Sequence, residues 1–129
     1  MFIHIYDYPY TSLKLEPGEL LKLLSDATRL RSLMLLLQEG ELCVCELTYA
    51  LNEIQPKISR HLAALRDTGV VSVRRSGQWI YYRINPQLPV WASAILAATL
   101  SGVQQDAQFR RDLKQLHAMP KRPDNRICA

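Results

Sequence analysis

The sequence predicts a mainly α-helical fold carrying one small β-hairpin, and three observations predict it. Apolar residues recur at helical spacing from Glu19 to Gln38. A second amphipathic segment opens at Gln55-Pro56 and closes before Gly69. The period then changes to β-prone residues on either side of a turn between Val71 and Arg83. With 129 residues, 48% of them hydrophobic, the chain suits one compact core and is too short for two ordinary domains.

Residues 1 to 18 show no sustained period and end in Pro17-Gly18, which marks an N-terminal extension available to pack on a partner. In the first helical run Leu20, Leu23, Leu24, Ala27, Leu30, Leu33, Met34 and Leu37 share the apolar face. Asp26 and Thr28 are placed to cap a break within it, and Gly40 stops it, giving one or two core helices. A short apolar segment, Leu42 to Leu51, leads through Asn52 to the next helix, where Pro56 takes a first-turn position that needs no N–H. There Ile58, Leu62 and Leu65 face inward while Lys57, Ser59, Arg60, His61 and Arg66 project elsewhere, and Gly69 stands where a C-terminal cap is expected. The hairpin follows, with Arg74-Arg75-Ser76-Gly77-Gln78 as a cationic tip. Beyond Pro86 and Pro89 a single final amphipathic helix is expected over about Val90 to Leu116. The organisation is thus an extension over 1–18, a domain over 19–116 and a basic C-terminal tail over 117–129.

Net charge is +4, and its distribution says more than its total. Residues 57 to 83 hold Lys57, Arg60, Arg66, Arg74, Arg75 and Arg83 against Asp67 alone, whereas the residues before them are predominantly acidic. A basic block of this kind is often only a solvated face, so the order of elements must decide its meaning. Two helices meeting at a tight turn and followed by a hairpin form a winged helix-turn-helix, whose second helix enters the major groove while the wing lies along the backbone. The expected partner is double-stranded DNA. Lys57 and Arg60 suit phosphates or guanine edges, and Gln55, Ser59 and His61 carry the donors and acceptors that discriminate bases. Arg74 and Arg75 suit phosphates or the minor groove.

The stretch from Leu24 to Pro86, with its segments ELCVCEL, QPKISRHLAALR and GQWIYYRI, resembles the ArsR family of arsenic-responsive repressors, and the resemblance covers roughly residues 19 to 116. It implies a homodimer held by the first and last helices and released from operator DNA by arsenite or antimonite. It also implies base reading by Gln55, Ser59 and His61, which stand at the family's QxxxSxH positions.

Only three cysteines occur, which is no disulfide framework for a secreted fold. A reducing cytoplasm is expected, with no signal peptide and no stretch of membrane-spanning length. Cys43 and Cys45 are separated by Val44 alone. In a regular helix residues two apart point about 200° away from each other, so both sulfurs reach one ion only where the chain is extended or unwound. Thiolates at a helix start also gain from the helix dipole. Such soft ligands suit trivalent arsenic, which takes two or three sulfurs. The bland alternative is a pair of small buried side chains.

Thr48 stands where the family commonly has a third cysteine, and the remaining thiol is Cys128 in the tail. Ordering about ten tail residues at roughly 1 kcal/mol each disfavours Cys128 as a ligand, and no apolar residues are evident to dock it. Two protein thiolates are therefore expected, with water, hydroxide, a cellular thiol or a methyl group in the third position, and methylarsenite is a further candidate inducer. No other cofactor is required.

Two alternatives share the fold. A zinc-responsive repressor would need the relatives' Asp-x-His and His-x-x-Glu, where this chain has Asp106-Ala107-Gln108 and His117-Ala118-Met119-Pro120. A thiol-redox repressor would need a disulfide across a small strained ring, expected to form less easily than an arsenic bridge. No phosphate-cradling loop and no group that would activate a thiol supports an enzyme. The thiols are expected on the first helix of the motif, away from its reading face.

Overall fold

The computed structural model describes residues 6–7 and 15–123. Helix α1 (Pro17–Leu24) begins with proline in its first turn and buries Leu20 and Leu23. It ends because Asp26 starts a new helix: its carboxylate accepts the Arg29 N–H at 2.9 Å, capping α2 (Ala27–Glu39). Leu33, Met34, Leu35 and Leu36 place α2 at the centre of the core. Gly40 closes it at φ 95°, a backbone conformation that would strain any residue with a side chain.

Strand β2 (Glu41–Cys43) runs directly into α3 (Val44–Leu51). Cys43 is both the last strand residue and the extended N-cap of the helix. Asn52 ends α3 in the left-handed region at φ 55°, which supplies the sharp turn into α4 (Gln55–Asp67). Ile58, Leu62 and Leu65 seat α4 on the core. The hairpin consists of β3 (Val71–Ser76) and β4 (Trp79–Ile84), paired antiparallel with Ser76 opposite Trp79 and Gly77-Gln78 as the turn. Asn85, buried behind it, donates from its side chain to the Gly69 carbonyl at 2.9 Å and ties the base of the hairpin to the end of α4.

Part of the N-terminal extension adds β1 (Tyr6–Asp7) to this sheet, opposite Arg74 and Val73 of β3. The sheet order is β1-β3-β4-β2, so the hairpin belongs to a four-stranded antiparallel sheet, with Cys43 of β2 opposite Tyr81 of β4.

The single final helix expected from the sequence is two, α5 (Val90–Val103) and α6 (Ala107–His117). Asp106 accepts the Phe109 N–H at 3.1 Å and starts α6 afresh. Arg31 of α2 then donates twice to Asp112 of α6, each at 2.9 Å, and once to the Leu51 carbonyl at 3.1 Å, joining α2, α3 and α6. That buried carboxylate holds the Arg31 guanidinium above its ordinary pKa. No helix among the described residues is long and apolar enough to cross a membrane.

Candidate functional site: a thiol pair beside the reading helix

The polar face of α4 presents an exposed Gln55 and Arg60 and half-buried Lys57 and Ser59. Lys57 is partly engaged by Glu53 one turn earlier, at 3.1 Å. His61 is turned inward: its Nδ1 lies 3.4 Å from Arg29 Nη1 and its Nε2 3.7 Å from Asp26 Oδ2, so the start of α2 contacts it. Immediately before Gln55, Ile54 is 68% exposed, an apolar side chain suited to a thymine methyl. Its position at a helix N-cap gave no sequence signal, because apolar residues there are usually read as core.

The wing corrects the expected cationic tip. Arg74 does not point away as a free charge: its Nε and Nη2 donate to the two Glu41 oxygens at 2.8 and 2.7 Å, and its guanidinium stacks 4.4 Å above the Tyr81 ring. Successive strand residues face opposite sides of the pleat, so the next residue, Arg75, is the exposed one.

At the β2–α3 junction the structure joins Cys43 and Cys45 as a disulfide, with Cα atoms 5.4 Å apart. The closure of so small a ring has a local cause. Cys43 is extended (φ −87°, ψ 166°) while Cys45 already lies in the first turn of α3, and the change of backbone between them turns both sulfurs to one side. Cys43 is 1% exposed.

The pair shares a cavity of about 200 Å³ with Gln55 at the head of α4 and with Gln78, Trp79 and Ile80 of the wing. The expectation that the thiols lie away from the reading elements is therefore also corrected. A second cavity, of about 340 Å³, runs from Cys45 past Thr48, Tyr49 and Gln55 to Met119. Thr48 donates its hydroxyl to the Val44 carbonyl at 2.8 Å, as a helical threonine does. Cys128 lies outside the described residues.

Residues 118 to 123 also depart from the undocked tail expected from apolar content. Arg122 is 7% exposed, and its Nε donates to Glu46 Oε2 at 2.6 Å. An ion pair helps seat the segment, together with the buried Pro123 and the half-buried Met119. Among the described residues no group of three or more His, Cys, Asp or Glu is placed to hold a metal ion. The zinc-sensor positions are otherwise engaged: Asp106 caps α6, and His117 pairs with Glu39 at 3.2 Å.

A helix-turn-helix with a wing and a thiol pair at its hinge defines a DNA-binding regulator. Residues 26–73 match the bacterial regulatory protein family arsR. The chain is 49% identical over 116 residues to the arsenic resistance transcriptional regulator ArsR2 of Pseudomonas putida, covering 87% of this chain and 97% of that one. Among solved structures it is similar to the transcriptional repressor BigR of Xylella fastidiosa, with TM-score 0.56 and 34% identity over 65% of this chain and 82% of that one. It is also similar to the antimony-specific transcriptional repressor AntR, with TM-score 0.57 and 28% identity over 74% and 88%. The chain belongs to the ArsR family. It is a transcriptional repressor of the arsenic-resistance kind and not an enzyme.

Proposed function

We propose that this repressor binds operator DNA as a cytoplasmic homodimer and is released when trivalent arsenic bridges the reduced thiolates of Cys43 and Cys45. The observation that carries this reading is the cavity the two sulfurs share with Gln55 and with the wing residues Gln78, Trp79 and Ile80. An ion drawn between the sulfurs acts on the first residue of the reading helix and, through the pairing of Cys43 with Tyr81, on β4. Release then requires the ion to bind the DNA-free arrangement more tightly than the DNA-bound one.

Two thiolates suit a soft ion, and the third position is open to water, hydroxide, a cellular thiol or a methyl group. Arsenite, antimonite and methylarsenite are all candidate inducers; the first and last accord with two protein ligands, and the AntR likeness brings in the second.

On the DNA side, Gln55 and Ser59 read base edges, His61 contributes only after leaving Asp26 and Arg29, and Lys57, Arg60 and Arg75 meet phosphates. Arg74 supports the wing through Glu41. Dimerisation uses α1 and α5, where Leu21 is 55% and Val90 85% exposed. Two reading helices must then fall about 34 Å apart.

The test is fluorescence anisotropy of the reduced protein on its upstream DNA, with each inducer added in turn. Arsenite should release the parent, and Cys43→Ser and Cys45→Ser should keep DNA affinity but not respond. Normal induction of either variant would overturn the site. The disulfide favours a second reading, in which a peroxide oxidises the two thiols and is reduced to water; release by peroxide with no response to arsenite would select it.

A further inference from the structure

We propose that Arg122 is a positioning residue of the thiol sensor, holding Cys43 and Cys45 in their ion-binding geometry through Glu46. The inference rests on the thiol-sensor reading above. Glu46 is fully buried in the first turn of α3, and its two oxygens are divided between two tasks. Oε1 accepts the Cys43 backbone N–H at 2.8 Å, as the N3 member of a capping box, and Oε2 accepts from Arg122 Nε at 2.6 Å.

The cap fixes the residue that carries one thiol and sets where α3 begins. A buried carboxylate stays in place only while its charge is matched, and Arg122 contributes to that match at 2.6 Å. Arg122 reaches this point because the chain turns back after α6, where Met119 lines the cavity that contains Cys45. Asp112 of α6 is itself fixed to Arg31 of α2. The segment that holds the sensor is therefore anchored to the core on its own side. With the Arg122 contact removed the Glu46 carboxylate is held less firmly, the cap on the Cys43 N–H loosens, and the two thiols no longer converge on one ion at no ordering cost.

The experiment uses the reduced full-length chain in a Cys128→Ser background, with Arg122→Gln, Arg122→Lys and the double variant Glu46→Gln/Arg122→Met. Modification of Cys43 by an alkylating reagent, located by peptide mass spectrometry, needs no arsenic. Arg122→Gln should speed it about tenfold, as a buried carboxylate that loses a charged partner loosens its surroundings, and should weaken arsenite-driven release by about as much. Operator affinity should stay within about twofold because Glu46 and Arg122 are buried and neither lines the cavity that the thiols share with Gln55. Arg122→Lys should restore most of the parent's slow rate. The double variant keeps a carbonyl on the Cys43 N–H and no buried charge, so it should also react slowly, and it decides the matter if Arg122→Gln does not fold.

Parent-like modification of Arg122→Gln, even with a lowered melting temperature, would overturn the positioning role, as would fast modification of the double variant. If arsenite fails to release the parent while Arg122→Gln still exposes Cys43, the inducer reading fails and the positioning role stands.

Discussion

At the two ends of α3 the chain encloses its charges, whereas along α4 and the turn of the wing it leaves them in water. Glu46 and Arg122 are buried against each other, and Asp112 is buried against Arg31. Arg60 and Arg75 are exposed on the side proposed to face DNA. The same residue type thus serves two purposes. An enclosed arginine fixes geometry and its loss is felt in stability; an exposed one waits for an external anion and its loss is felt in binding and salt dependence. Arg74 and Arg75 are neighbours that fall on opposite sides of this division, because the pleat turns one toward Glu41 and the other outward.

The largest expected effect breaks the enclosed side. Asp112→Ala leaves Arg31 beside the α3 carboxyl-terminal carbonyl without its carboxylate and should lower stability by about 3 kcal/mol in urea unfolding. A loss below about 1 kcal/mol, the size expected of an exposed pair, would erase the contrast.

The next effects belong to the exposed side and sharpen the contrast there. Gln55→Ala or Ser59→Ala should relax base preference at roughly 1 to 3 kcal/mol per lost contact. Arg75→Ala should weaken binding to all sequences and lower the salt slope by about 1. Arg74→Ala should instead lower wing stability with little direct change in salt slope. A salt slope that fell equally in both variants would mean that Arg74 leaves Glu41 to meet phosphate.

How much of this was legible in the sequence follows from how local each signal is. The breaks at Asp26 and Gly40, the entry at Pro56 and the end at Gly69 are written in single residues with local backbone consequences, and each is where the sequence predicts it. The thiol pair was legible for the same reason, since spacing alone states the condition for convergence. The α5–α6 break was missed although Gly102 and the capping Asp106 flank it, because apolar residues resume at helical spacing on its far side. Strand β1 depends on pairing with β3 far along the chain, and the fate of Arg74 depends on Glu41, 33 residues away. Arg122 and Glu46 are separated by 76 residues, and an apolar count of the tail misses the ion pair that helps to seat it.

The smallest expected effect lies at the boundary between the two regions, at Asp26, which caps α2 and also faces His61 of the reading helix. The Arg29 N–H chiefly holds the Asp26 carboxyl below its ordinary pKa, and nearby His61 and Arg29 add to this against the opposing effect of burial. A carboxylate with a depressed folded-state pKa contributes its stabilisation in full above the unfolded value, about 3.9, and loses it as pH falls through the lower folded value. Asp26→Ala should therefore cost about 1 kcal/mol between pH 5 and 7, the usual worth of an N-cap. That difference should shrink as the pH is lowered below about 4, where the parent's own carboxylate protonates. The substitution also frees His61 from one of its two neighbours on α2, so it should improve operator affinity slightly or leave it unchanged. Chemical denaturation of both proteins across this pH range, with anisotropy at pH 7, checks both parts. A stability difference that grew toward acid pH would mean that the Asp26 carboxylate is a liability and not a cap. A marked loss of DNA affinity would mean that Asp26 holds His61 in its reading position, which would move this residue to the DNA-binding side.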